Sequence, residues 1–200
     1  MRFFGFWSSF HLLLSAVEDR GYKEVMTKAE SYLQHLFLAA CVGDRCGPLY
    51  RTLFDNWYAY DKGGPFLSRS GGGTPYWFNK PNAAKHGKAL TLMDFMSEDA
   101  ALIVDALGSG GVLTVDHAIP VAVLRNMMLE GAPGWTDASD VERFLRRYYR
   151  VGVITAAEHD RLRFNGLNHG MPADWDGVDV FARYQKVGIV AGTAKNWGQP

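Results

Sequence analysis

The chain has 200 residues, 48% of them apolar and 14% aromatic, with 21 basic against 21 acidic side chains. That composition marks a globular, core-forming protein of one large or two small domains and excludes a disordered one. A formal net charge of zero removes the basic surplus on which phosphate binding normally rests, so any nucleic-acid contact has to come from a local basic sector.

The opening residues Met1 to Ala16 carry one basic residue and then an apolar stretch ending in Ser15-Ala16. This superficially suits a secretion signal, but Trp7, Ser8, Ser9 and His11 dilute the apolar run, and it is too short to span a bilayer as a helix. The expectation is an amphipathic helix that packs Phe6, Phe10, Leu13, Leu14 and Val17 onto the body of the protein. From Gly21, apolar residues recur at three- and four-residue steps (Tyr22, Val25, Met26, Ala29, Leu33, Leu36, Phe37, Ala40), which predicts a core-facing helix. Gly43 and Gly47-Pro48 end it. Leu49, Leu53, Phe54, Trp57 and Tyr58 predict a second helix that stops before Asp61-Lys62-Gly63-Gly64-Pro65. No chemistry-bearing residues are spaced along either helix, and both are expected to serve as scaffold or to bind a partner.

Cys41 and Cys46 are the only cysteines. They could bridge a loop or join His35 at a metal, but a structural zinc needs four ligands, and free thiols in a reducing cytoplasm are the expectation. Residues 66–88 are the least regular part, with Gly71-Gly72-Gly73 followed by Tyr76-Trp77-Phe78. No Lys-Ser/Thr follows the glycines at P-loop spacing, so nucleotide binding is rejected and a loop is predicted. Its aromatic residues beside Lys80, Lys85 and Lys88 could stack on bases or pin the loop to the core. Leu92, Phe95, Met96, Ala100, Ile103, Val104 and Leu107 then predict a helix over residues 91–107, interrupted near Ser97-Glu98-Asp99.

Gly108-Ser109-Gly110-Gly111 breaks that pattern, and Val112-Leu113-Thr114-Val115 reads as a strand delivering Asp116-His117 at its end, before Pro120. Val121 to Leu129 reads as helical and Gly131 to Gly134 as a turn. Ser139-Asp140-Val141-Glu142 has capping-box spacing for a helix running to Arg150. On it Val141, Phe144, Leu145 and Tyr148 face inward, and Arg143, Arg146, Arg147 and Arg150 form one face suited to phosphate contacts or to solvent. Val151 to Ile154 is a second strand, and Thr155-Ala156-Ala157-Glu158 is a capping box opening a helix with His159 in its first turn. In the tail, Asp174, Asp176 and Asp179 lack EF-hand spacing and read as turn and cap residues. Val178 to Val187 reads as a short helix anchored by Phe181, Tyr184 and Val187, and His169 is a spare metal ligand only if its loop folds back.

A strand ending in Asp-His, a second strand, and a capped helix bearing a second His is an order that can place a base and a cation on opposite sides of a phosphodiester. Asp116-His117-Ala118-Ile119-Pro120 with Glu158-His159-Asp160-Arg161-Leu162 resembles the HNH, or ββα-metal, endonucleases over residues 111 to about 170. The resemblance implies that His117 activates water while Asp116 and His159 bind the metal. Two departures stand out. Residues 121–150 occupy the place of a short Asn-bearing loop, leaving Asn126, Asn165 and Asn168 as candidates for the middle letter, and the structural Cys pairs that many members carry are absent.

These readings describe an α+β protein. Residues 1–108 form a mostly helical scaffold or partner-binding part, and residues 109–200 a ββα-metal nuclease-like region carrying a helical insertion. The expected activity is metal-dependent hydrolysis of nucleic-acid phosphodiesters, DNA foremost, in the cytoplasm and away from membranes. One divalent ion, Mg, Mn or Zn, is expected because a carboxylate and a neutral imidazole suit several such ions. The alternative, favoured by the neutral charge and the missing Asn, is a non-catalytic interaction module, such as a defence or toxin-neutralising partner, that binds protein through its N-terminal half.

Overall fold

The computed structural model describes residues 27–62, 93–107 and 113–193. The predicted opening helix, the signal-like segment and the aromatic loop at 66–88 lie outside these residues. Two helices come first, α1 (Lys28–Cys41) and α2 (Gly47–Asp61). Thr27 caps α1: its hydroxyl accepts from Glu30 N at 3.2 Å, and Glu30 Oε2 accepts from Thr27 N at 2.6 Å. Two of the amides that a helix start leaves without partners are thereby satisfied. Helix α2 opens on Gly47-Pro48, where a missing N–H costs nothing. From Leu53 to Ala59 every residue of it is buried, so it runs through the interior rather than along a surface.

The sheet follows. Strands β1 (Phe95–Ser97), β2 (Leu113–His117), β3 (Val151–Thr155) and β4 (Ala191–Thr193) lie in the order β2-β3-β1-β4. β3 is antiparallel to β2, with Leu113 opposite Thr155 and His117 opposite Val151, and parallel to β1. β4 closes the other side antiparallel to β1. The helix predicted over 91–107 divides at the expected break, Ser97-Glu98-Asp99, but its first part is a strand; α3 (Glu98–Leu107) follows, and Ser97 caps its start by accepting from Ala100 N at 3.1 Å. Short apolar runs of this kind fit either period, and here pairing with β3 decides the outcome.

Between β2 and β3 lie α4 (Val121–Gly131), a 3-10 turn (Ala132–Gly134) and α5 (Ala138–Tyr148). Asp137, not Ser139, caps α5: it accepts from Ser139 N at 2.8 Å, while Asp140 Oδ2 accepts from Asp137 N at 3.3 Å. The helix ends at Tyr148, so Arg150 is not on it, and the residue turned into the core is Tyr149, with Tyr148 half-buried. After β3 come α6 (Ala156–Phe164) and α7 (Ala182–Lys186).

Side chains alternate across β3 with the strand period of two. Val151 and Val153 face a large core built with Leu33 and Leu36 of α1, Tyr50, Phe54 and Trp57 of α2, Leu124 and Met128 of α4, and Val141 and Leu145 of α5. Ile154 faces a smaller core of Phe95, Leu162, Leu167, Tyr184 and Ile189. Gly152 lies where β1 approaches most closely: a Cβ there would stand 2.4 Å from the Phe95 carbonyl oxygen. The result is an α+β fold whose mixed sheet separates two helical layers. Residues on both sides of position 108 share its sheet and its larger core. No helix among the described residues is long and apolar enough to cross a membrane.

Candidate active site

Strand β2 ends at His117 because its last pairing is with Val151; beyond it Ala118 N donates to Arg150 O at 2.9 Å, and Pro120 becomes the N-cap of α4. Antiparallel to it, β3 runs straight into α6 through the predicted box: Thr155 Oγ1 accepts from Glu158 N at 3.1 Å, and Glu158 Oε2 accepts from Thr155 N at 2.7 Å. The same Glu158 oxygen accepts from Ser97 Oγ at 2.6 Å. Glu158 thus ties β1, β3 and the start of α6 together with one buried carboxylate, and the residue after it, His159, is held at a fixed place beside β2.

Asp116, His117 and His159 line one cavity of about 680 Å³. Asn168 and His169 also line it, so the loop after α6 does fold back, and of the three asparagines considered only Asn168 is there among the described lining residues. Asn126 instead accepts from Arg125 at 3.0 Å, and Asn165 donates to the Arg161 carbonyl at 2.8 Å. Arg51 of α2, Arg125 of α4 and Arg183 of α7 complete the polar lining. The cavity thus carries three arginines against one aspartate in a protein whose charges balance overall.

Two buried polar groups hold the strand end. In the first, Arg183, 1% exposed, donates to the carbonyls of Ala118 at 2.9 Å and Leu167 at 2.7 Å, to the His117 carbonyl, and to Asp116 Oδ2. Tyr184 donates to the same Asp116 oxygen at 2.8 Å. Burial, and then the Asp116 charge, push the Tyr184 phenol well above its ordinary pKa, so it stays a donor. A guanidinium presents its N–H groups in a rigid fork, which is why one side chain can serve several acceptors at once.

In the second, His117 Nε2 lies 3.0 Å from Asp55 Oδ1 and 3.1 Å from the Tyr149 hydroxyl, and that hydroxyl donates to Asp55 Oδ1 at 2.6 Å. Asp55 belongs to α2, a helix expected to serve as scaffold or to bind a partner, with no chemistry-bearing residues spaced along it; the structure places the Asp55 carboxylate against the imidazole. Its signal was a carboxylate on the apolar face of a core helix, between Phe54 and Trp57, since a buried charge requires a partner. Arg183 had a parallel signal between Phe181 and Tyr184.

The arginines expected in one row are distributed over two depressions. Arg143 and Arg147 lie beside Trp135 and Phe144, and Arg146 and Arg150 beside Trp57 and Asp61. Arg143 pairs with Asp140, Arg146 with Glu142 at 2.7 Å and Asp61 at 2.8 Å, and Arg147 stacks 4.9 Å from the Tyr148 ring centroid. None of the four is among the residues lining the His117 cavity. Cys41 and Cys46 are free and exposed. In the tail, Asp176 accepts from Val178 N at 2.8 Å and Asp179 from Phe181 N at 2.9 Å, the turn and cap roles predicted.

Comparisons with protein-family models, with curated proteins and with solved structures find no match.

Proposed function

We propose that the protein hydrolyses nucleic-acid phosphodiesters, DNA foremost, in the cavity between β2, α6 and α2. The observation that supports this reading is that Asp116, His117 and His159, from a strand end and a helix start far along the chain, line one cavity together with Arg51 and Arg125. His117 is the base. It takes a proton from water, the water oxygen bonds to phosphorus, and the ester oxygen leaves and is protonated from solvent. Arg51 and Arg125 neutralise the phosphate, a role the sequence had given to Arg143, Arg146, Arg147 and Arg150.

The donor types for one divalent ion, Mg, Mn or Zn, are present at the same cavity. Asp116 Oδ2 is engaged by Arg183 and Tyr184, which leaves Oδ1 to join His159 as ligands, with His169 in reach of the same space as a third. Among the described residues no three such side chains converge on one point; Asp116, His159, half-buried, and His169, exposed, are the residues that would hold an ion here. A bound ion would stabilise the charge on the departing oxygen.

The test is plasmid nicking in Mg²⁺ or Mn²⁺ by wild type and His117→Ala. Nicking by the wild type alone is expected; equal activity in both sinks the assignment. The second reading, a non-catalytic module that binds protein, draws on the balanced charge. It predicts no stabilisation by divalent ions, whereas an ion bound only by the folded state must raise the melting temperature.

A further inference from the structure

The deepest unexplained feature of the site is a carboxylate with no solvent exposure. Asp55 is completely buried, and its Oδ2 accepts no hydrogen bond among the described residues, with Arg51 Nε 3.8 Å away. All its hydrogen bonding therefore falls on Oδ1, where two groups compete: the Tyr149 hydroxyl at 2.6 Å and His117 Nε2 at 3.0 Å. The phenol keeps its proton, because burial, and then the Asp55 charge, raise its pKa well above the ordinary tyrosine value. It therefore donates to the carboxylate rather than accepting from the ring.

That leaves the ring nitrogen. A neutral imidazole carries its proton on one nitrogen and a lone pair on the other. Were Nε2 the lone-pair nitrogen, it would face a desolvated carboxylate oxygen at hydrogen-bond distance with no proton between them. With the proton on Nε2 the same contact becomes a charge-assisted hydrogen bond, and one buried carboxylate oxygen gains its second donor.

We propose that Asp55 is a positioning residue that holds His117 in the tautomer protonated on Nε2, making Nδ1 the basic nitrogen of the ring. Its role in catalysis rests on the hydrolytic reading above; the tautomer itself does not. An orienting carboxylate of this kind also fixes the ring plane and stabilises the imidazolium formed when the ring takes up a proton.

The experiment is ¹⁵N NMR of the histidine side chains in the full-length protein at a pH where the ring is neutral, with His117→Gln assigning the signal and nicking measured in parallel. Wild type and Tyr149→Phe are expected to carry the proton on Nε2. In Asp55→Leu the Tyr149 hydroxyl, deprived of its acceptor, donates to Nε2 instead. The ring proton then moves to Nδ1, and nicking falls by about 10²- to 10⁴-fold. A wild-type ring protonated on Nδ1, or an Asp55→Leu ring still protonated on Nε2, overturns the proposal. If Asp55→Leu does not fold, the tautomers of wild type and Tyr149→Phe decide. A wild type that nicks nothing yet shows the expected tautomers supports the positioning role and removes only the hydrolytic reading.

Discussion

Arg183 and Arg143 are the same residue type used in opposite ways. Arg183 is buried at the junction of β2 and α7, and its partners Asp116, His117, Ala118 and Leu167 lie 16 to 67 residues away. Arg143 is exposed on α5, and its partners Ser139 and Asp140 lie four and three residues away on the same helix start. A charge placed in the interior has to be matched by groups from elsewhere in the chain, and so it fixes the relative position of distant elements. A charge left in water pairs with its helical neighbours, competes with solvent and fixes little.

That contrast has measurable consequences. Replacing Arg183 by Met takes the donor from three carbonyls and the cation from Asp116, which keeps only Tyr184, and the expected loss is about 3–5 kcal/mol in denaturant unfolding; a loss below about 1 kcal/mol would break the distinction between the two arginines. Gly152→Ala tests the same interior through backbone alone. The added methyl meets the Phe95 carbonyl, a group that cannot swing aside as a side-chain end can, and the cost expected from the same titrations is about 1–3 kcal/mol. Tyr149→Phe removes one donor from a buried carboxylate and should cost about 1.5–3 kcal/mol, sharpening how much of the site's rigidity belongs to Asp55. Arg143→Ala, on the exposed side, should lie within about 0.5 kcal/mol of wild type.

The smallest effect concerns acid. Hydrogen bonds from the Ser139 side chain and backbone lower the Asp137 pKa, and the Thr136 backbone amide is the main cause of the lowering at Asp140. Because the folded values lie below the unfolded ones, the capping contribution of this pair is fully present above the unfolded aspartate range. It is lost as pH falls through the depressed folded values. Asp137→Asn, which keeps a capping oxygen but cannot titrate, should flatten the acid limb of stability against pH in circular dichroism; an unchanged limb would assign acid sensitivity elsewhere.

What could be read from the sequence was what is local. Thr155 and Glu158 are three residues apart, so their reciprocal bonds are written in the spacing, and the strand end at Asp116-His117 is announced by Pro120. The apolar faces of α1 and α2 follow from a period of three to four. What could not be read was what closes across the chain. Asp55 reaches His117 over 62 residues, and no spacing rule spans that gap. The strand Phe95–Ser97 was absorbed into a helical pattern because three residues are too few to display a period of two. The arginine row failed for a local reason: Asp137 captured the cap ahead of Ser139 and the helix stopped at Tyr148, which removed Arg150 from the face.

The placement of α4 and α5 between the paired strands β2 and β3 also bears on how the site is held together. A hairpin closed by a tight turn can zip from its own loop, but these strands flank residues 118–150. Closing so long a loop in place of a four-residue one adds about 2 kcal/mol of chain entropy. Helices α4 and α5 offset that by docking on α1 and α2 and bringing the strand ends together. His117, Asp55 and Tyr149 come from β2, α2 and the end of α5, so the chemistry of this site reports that these separate elements have docked.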